Sequence, residues 1–120
     1  MNKRALVVDD SDMIRDVFSQ QLIFCGFDAR SCDSLDETLD IIQNWQPDVV
    51  FLDLRMPGHD GFEVIKQIRA KFSDPPKVIA VTGSDDSRVR QQAKSAGFER
   101  FLLKPFRMAQ LMAILENLLS

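Results

Sequence analysis

Side chains able to do polar chemistry stand repeatedly at the ends of short apolar runs. Asp9 and Asp10 close "ALVVDD", Asp53 closes "VVFLD", Thr82 follows "VIAV" with Ser84 two residues on, and Lys104 closes "FLLK". Taken singly, each has an ordinary structural reading. A strand-end acid forms turns or caps helices, a threonine caps the next helix, and a lysine holds a solvated head on an apolar stem. Taken together they could transfer a phosphoryl group. Three carboxylates within a few ångströms repel by ~4 kcal/mol per pair at an effective dielectric of ~20, and Lys104 offsets one unit, leaving about −2. A hard divalent cation would neutralise that remainder. Oxygen donors favour Mg²⁺ over zinc, with Mn²⁺ a second hard cation of the same kind. Asp53 could then act as a carboxylate nucleophile, Lys104 and the cation could neutralise the phosphoryl oxygens, and Thr82 could donate its hydroxyl.

The elements that must position these residues alternate five times. Strand-like runs are Ala5–Val8, a weak one at Phe27–Ser31, Asp48–Leu52, Lys77–Val81 and Phe101–Leu103. "VVFL" and "VIAV" are apolar without interruption, as strands covered on both faces are. The first helix is expected to turn Ile14, Val17, Phe18, Leu22 and Cys25 inward, with Gly26 closing it. Ser34 and Glu37 form a capping box for the second, whose stripe is Leu35, Leu39 and Ile42 and which Pro47 stops. The third carries Phe62, Ile65, Ile68 and Phe72. The fourth, about 86–96, offers Val89, Ala93 and Ala96; so small a stripe predicts a loosely docked helix. The last runs over 108–119 with Leu111, Met112, Leu115 and Leu118 inward. This pattern predicts an α/β fold, a five-stranded parallel sheet with helices on both faces, and ligands at the carboxyl ends of the strands.

With 120 residues the chain suits a single domain over 1–120. A 45% hydrophobic and 28% charged composition is that of an ordinary globular protein, and a net charge of −3 offers no footprint for nucleic acid or anionic membrane. Cys25 and Cys32 match no metal or redox spacing, and Cys25 reads as a small buried hydrophobe. With no signal-peptide pattern in "MNKRALVV", a cytoplasmic location is expected.

The ordered motifs "VVDD", "FLDLRMPGHDGFE", "VTG" and "FLLKPF" resemble those of the receiver domains of bacterial two-component response regulators, over essentially the whole chain. The resemblance implies the flavodoxin-like doubly wound fold, (βα)5, with strand order 2-1-3-4-5. It implies that Asp53 accepts a phosphoryl group from a sensor histidine kinase or phosphotransfer protein and that an effector protein lies downstream. It further implies that Asp10, Asp53 and the backbone carbonyl of Arg55 bind Mg²⁺ directly, with Asp9 acting through water. Thr82 and Lys104 would hold the phosphoryl oxygens, and Lys104–Pro105 would be the family's cis peptide. Phe101 falls at the aromatic switch position, without the hydroxyl of the tyrosine found in many members. Arg55 and Ser84 occupy positions that modulate acyl-phosphate lifetime. His59, the one histidine, lacks a second ligand at metal spacing and reads as a loop residue.

Two other functions fit parts of the pattern. "DSD" at Asp10–Asp12 mimics the nucleophile motif of Mg²⁺-dependent phosphatases of the haloacid dehalogenase type, but no further acidic motif follows Lys104 and Asp53 would have no role. A flavin or nucleotide binder would need a glycine-rich loop after the first strand, where "DDSDM" stands instead.

Overall fold

The computed structural model describes residues 2–56 and 59–119. Five parallel strands form its main sheet: β1 (Arg4–Val8), β2 (Asp28–Cys32), β3 (Val49–Asp53), β4 (Lys77–Thr82) and β5 (Arg100–Leu103). Their order is β2-β1-β3-β4-β5, the arrangement the resemblance implied. Alternation along each central strand divides the core in two, because successive side chains point to opposite faces. Leu6, Val8, Val50 and Leu52 face one side, where Ile42, Val64, Ile65, Ile68 and Ala93 pack on them. Ala5, Val7, Val49 and Phe51 face the other, against Phe18, Leu22, Leu111 and Leu115.

The helices follow from those two faces. α1 (Asp12–Phe24) and α5 (Met108–Leu119) cover the second face; α2 (Leu35–Trp45), α3 (Gly61–Lys71) and α4 (Ser87–Ala96) cover the first. The capping box is present: Ser34 Oγ accepts from the Glu37 amide at 3.2 Å. Two inward assignments are corrected. Val17 is 52% exposed and Met112 is 42% exposed, so α1 is held by Phe18 and Leu22, and α5 by Leu111 and Leu115. The burial expected of Cys25 is only partial. Cys32 is the buried one, its Sγ 3.3 Å from Thr38 Oγ1, while Cys25 is half-buried. Burial pushes the Cys32 thiol above its ordinary value.

The thin stripe of α4 is as expected, with Ala93 its one buried residue. A fully buried large aliphatic contributes ~1.5–3 kcal/mol, so α3, with Val64, Ile65 and Ile68 buried, is far better anchored by apolar area. Polar pins hold the end of α4 instead. Arg69 Nη2 donates to the Gly97 carbonyl at 2.6 Å and lies 3.5 Å from Glu99 Oε1. Gly97 sits at φ 100°, and a Cβ there would lie 2.5 Å from Arg69 Nε. At the start of α4 the guanidinium of Arg88 beside the N-cap Asp86 holds that carboxyl below the ordinary range.

One element was not foreseen. Arg55–Met56 and His59–Asp60 pair as a two-residue antiparallel ribbon, so the backbone of His59 belongs to a ribbon rather than a free loop. Pro57 and Gly58 lie outside the described residues. Asp60 ends the ribbon and caps α3, accepting from the Phe62 amide at 2.9 Å.

Candidate functional site

The carboxyl ends of β1, β3, β4 and β5 meet at one edge, and each delivers its residue there. Asp9 leaves β1 with its amide on the Cys32 carbonyl at 3.2 Å. Asp53 is the last residue of β3, in register with Val81, so Thr82 stands one step along the adjacent strand. Lys104 follows β5, its amide donating to the Thr82 carbonyl at 2.7 Å. The Lys104–Pro105 peptide is cis.

Carboxylate oxygens of Asp9, Asp10 and Asp53 all lie within 4.8 Å of one another. At that spacing each pair repels by at least about 3 kcal/mol at an effective dielectric of ~20. Asp9 is 3% and Asp53 is 6% exposed; Asp10 is open to solvent. Lys104 Nζ sits 3.3 Å from Asp53 Oδ2 and 3.6 Å from Asp9 Oδ2, one cation between two buried anions. Backbone amides occupy the opposite oxygens: Ser11 N donates to Asp9 Oδ1 and Arg55 N to Asp53 Oδ1, each at 3.0 Å. Both oxygens of Asp9 therefore already have partners within the chain, whereas Asp10 converges on the cluster from its solvent-exposed side.

The donor set fits a hard cation. It is made of carboxylate oxygens, and among the described residues no thiolate or imidazole joins the cluster. The Thr82 side chain is buried, and its Oγ1 accepts from the Ser84 amide at 3.2 Å, which leaves the hydroxyl hydrogen free to be donated. Arg55 has an exposed side chain beside the site.

Phe101 is partly buried against the α2–α4 core and is covered by a cation. The Arg90 guanidinium carbon lies 4.5 Å from the ring centroid, and Arg90 Nε is 2.8 Å from Asp85 Oδ1 in the loop after Thr82. The Phe101 ring thus has a definite packing partner in Arg90.

Two residues near the site carry roles that spacing did not reveal. A Cβ on Gly61 would lie 2.7 Å from Leu54 Cα and 2.8 Å from the Asp53 carbonyl oxygen. Its legible trace is a glycine at the first position of a helix, where glycine is a poor helix former. Arg15 Nη1 donates to the Asp9 carbonyl at 2.7 Å. In the sequence it shows as a cation three residues after Asp12, an ordinary i,i+3 pair.

Beside Lys104 runs an apolar cavity of about 430 Å³, lined by Met13, Ile14, Val17, Phe18, Pro105 and Phe106. Met13 is 76% exposed and Phe24, farther along the same face of α1, is 79% exposed. The outer face of α1 thus carries exposed apolar residues among its polar ones, Asp12, Asp16 and Gln20.

Comparison with known proteins agrees with this geometry. A family model described as a response regulator receiver domain matches residues 5–116. The response regulator MprA of Mycobacterium sp. (strain KMS) is 37% identical over 119 residues, 99% of this chain and 51% of that protein. MprA of Mycobacterium tuberculosis (strain ATCC 25177 / H37Ra) is 35% identical over the same shares. The chain thus spans about half the length of the curated relatives it matches. Among solved structures, a response regulator signal receiver domain from Bermanella marisrubri superposes with a TM-score of 0.91 at 29% identity, covering 100% of both chains. Vibrio cholerae chemotaxis protein CheY4 gives 0.89 at 27% identity, covering 99% of this chain and 100% of that one.

Proposed function

The chain belongs to the response regulator receiver domain family of two-component systems, and from that premise we propose that Asp53 accepts a phosphoryl group from a phosphohistidine on a sensor histidine kinase or phosphotransfer protein. The observation that carries this reading is the setting of Asp53. Its carboxylate is buried, held by the Arg55 amide and Lys104, and backed by two further aspartates. A phosphatase of the haloacid dehalogenase type has no support from the family or the neighbours.

An Asp53 oxygen attacks phosphorus as the P–N bond breaks, and that electron pair returns to the donor's imidazole nitrogen. Lys104 neutralises charge on the transferring oxygens from its place between Asp53 and Asp9. The Thr82 hydroxyl donates to another phosphoryl oxygen. Asp10, Asp53 and the Arg55 carbonyl would hold Mg²⁺, which when bound supplies positive charge beside the phosphoryl oxygens and relieves the carboxylate repulsion. The domain acts as a stoichiometric acceptor that assists its own phosphorylation and dephosphorylation. Movement of the loop after Thr82 toward a bound phosphoryl group draws on Asp85, and through Arg90 biases the Phe101 ring toward a downstream effector protein.

Acetyl phosphate with Mg²⁺ tests the acceptor. Peptide mass mapping is expected to find the adduct on Asp53; an adduct on Asp10 would assign the nucleophile to the phosphatase pattern instead. The decay of the same adduct reads the lifetime residues: Arg55→Ala is expected to lose it faster, because the arginine stem can cover the site, and identical decay would remove Arg55 from that role.

The donor must reach a carboxylate that is 6% exposed, so its histidine has to be presented on a protruding element seated close by. The apolar cavity along α1, which Lys104 shares with the acceptor site, is the adjoining surface fit to seat it. Val17→Glu is therefore expected to slow transfer from a phosphohistidine donor by about tenfold or more, the loss of a centrally placed contact at an interface. Acetyl phosphate, which needs no docking, should phosphorylate the variant at the wild-type rate. Equal slowing with both donors would place the defect in the site and not in docking.

A further inference from the structure

Arg15 is partly buried beside the acidic centre without belonging to its ligand set. Its side chain is 15% exposed; Nη1 donates to the Asp9 carbonyl oxygen at 2.7 Å, and Nη2 pairs with Asp12. The carbonyl it holds is half of the Asp9–Asp10 peptide unit. A peptide unit is planar, so fixing that C=O also fixes the Asp10 nitrogen and narrows the directions in which the Asp10 side chain can leave. Asp9 itself is restrained elsewhere, by the Cys32 carbonyl at its amide and the Ser11 amide at its carboxylate. Asp10 has an exposed side chain and no such packing, so its aim depends on that peptide plane.

We propose that Arg15 is a positioning residue for the cation site: by holding the Asp9–Asp10 peptide it keeps the Asp10 carboxylate converged with those of Asp53 and Asp9 before a cation arrives. A positive side chain near a cation site would ordinarily oppose binding. Here Asp12, itself 93% exposed, offsets part of that charge and solvent screens the rest, so the geometric effect wins. The inference rests on the reading that Asp10 and Asp53 hold a divalent cation.

Calorimetric titration with Mg²⁺ and with Mn²⁺ tests it without any phosphoryl transfer. Arg15→Met is expected to bind about ten- to a hundredfold more weakly than wild type, the cost typical of losing a group that orients a metal ligand. Positioning is indifferent to screening, so the loss should be the same at low and high ionic strength. In an Asp10→Asn background Arg15→Met should cost little more, since the residue acts through Asp10. Arg15→Gln takes the place of the methionine variant under the same criteria should that one not refold. Wild-type affinity in these variants, a loss that disappears at high salt, or full additivity with Asp10→Asn would each overturn the proposal. Equal affinity of wild type and Asp53→Asn would instead overturn the cation-site reading beneath it.

Discussion

Asp53→Asn is expected to abolish phosphoryl acceptance and, in the absence of divalent cations, to make the domain more stable. The two effects share one cause. Asp53 and Asp9 are both buried, with Lys104 alone between them at 3.3 and 3.6 Å. At an effective dielectric of ~20 the attraction of Lys104 for Asp53 is about 5 kcal/mol, against about 3–4 kcal/mol of repulsion from each neighbouring carboxylate. Exposure of Asp10 weakens its share, so these contributions nearly cancel, and the cost of keeping a carboxylate buried decides the balance. Asparagine keeps the shape and an oxygen for the Arg55 amide, and it leaves Lys104 paired with Asp9. A gain of about 1–3 kcal/mol in EDTA is the expected net. Added Mg²⁺ should then reverse the ranking. A ligand at a hundred times its Kd stabilises the folded state by about 2.7 kcal/mol, and the variant has lost one of the carboxylates that bind it. Urea denaturation of both proteins, with EDTA and with Mg²⁺, measures the crossover. A variant less stable than wild type in EDTA would mean that the cluster is not under repulsion.

Gly61→Ala is expected to be destabilising by about 2–3 kcal/mol, at the upper part of the range for overpacking. The added methyl would lie 2.7 Å from Leu54 Cα and 2.8 Å from the Asp53 carbonyl oxygen, and both neighbours are backbone atoms that cannot swing aside. Alanine's better helix propensity offsets at most about 1 kcal/mol, and less at a first helical position. The clash wins. Relief requires α3 to retreat or the end of β3 to shift, and the Gly61 amide, which donates to the Leu54 carbonyl at 3.2 Å, ties those two movements together. Either displaces Asp53 from Lys104, and a misplacement of about 1 Å can cost a hundredfold in rate. Thermal unfolding together with the rate of acetyl phosphate labelling checks both parts. A variant as stable as wild type would show that this close approach is not kept in solution.

How much of this was legible before folding depends on the range of the interaction involved. The strand–helix alternation, the capping box of Ser34 and Glu37 and the positive-φ Gly26 after α1 are set by neighbours within a few residues, and the structure has them where local pattern put them. The acids, the threonine and the lysine at strand ends were likewise visible, because an apolar run that stops at a carboxylate is a local pattern. Periodicity failed where a helix has two apolar faces. On α1 it could not tell Phe18 and Leu22, which meet the sheet, from Val17, which meets solvent beside the acceptor site. The same ambiguity misassigned Met112 on α5, and Cys25, read as buried, packs against the core only in part.

Local sequence pattern carried the chemical inventory of this protein and its placement at strand ends, while the strand order came from the family resemblance. The tertiary structure alone decided how the inventory is shared out. It set both oxygens of Asp9 against partners and left Asp10 open, brought Lys104 to Asp53 across 51 residues of chain, laid Arg90 over Phe101, and pressed Gly61 onto the acceptor strand. The physical reason is that residue types and helical or strand periods are properties of short segments. Distances of 3 Å between groups far apart in sequence exist only once the two cores on either side of the sheet have packed.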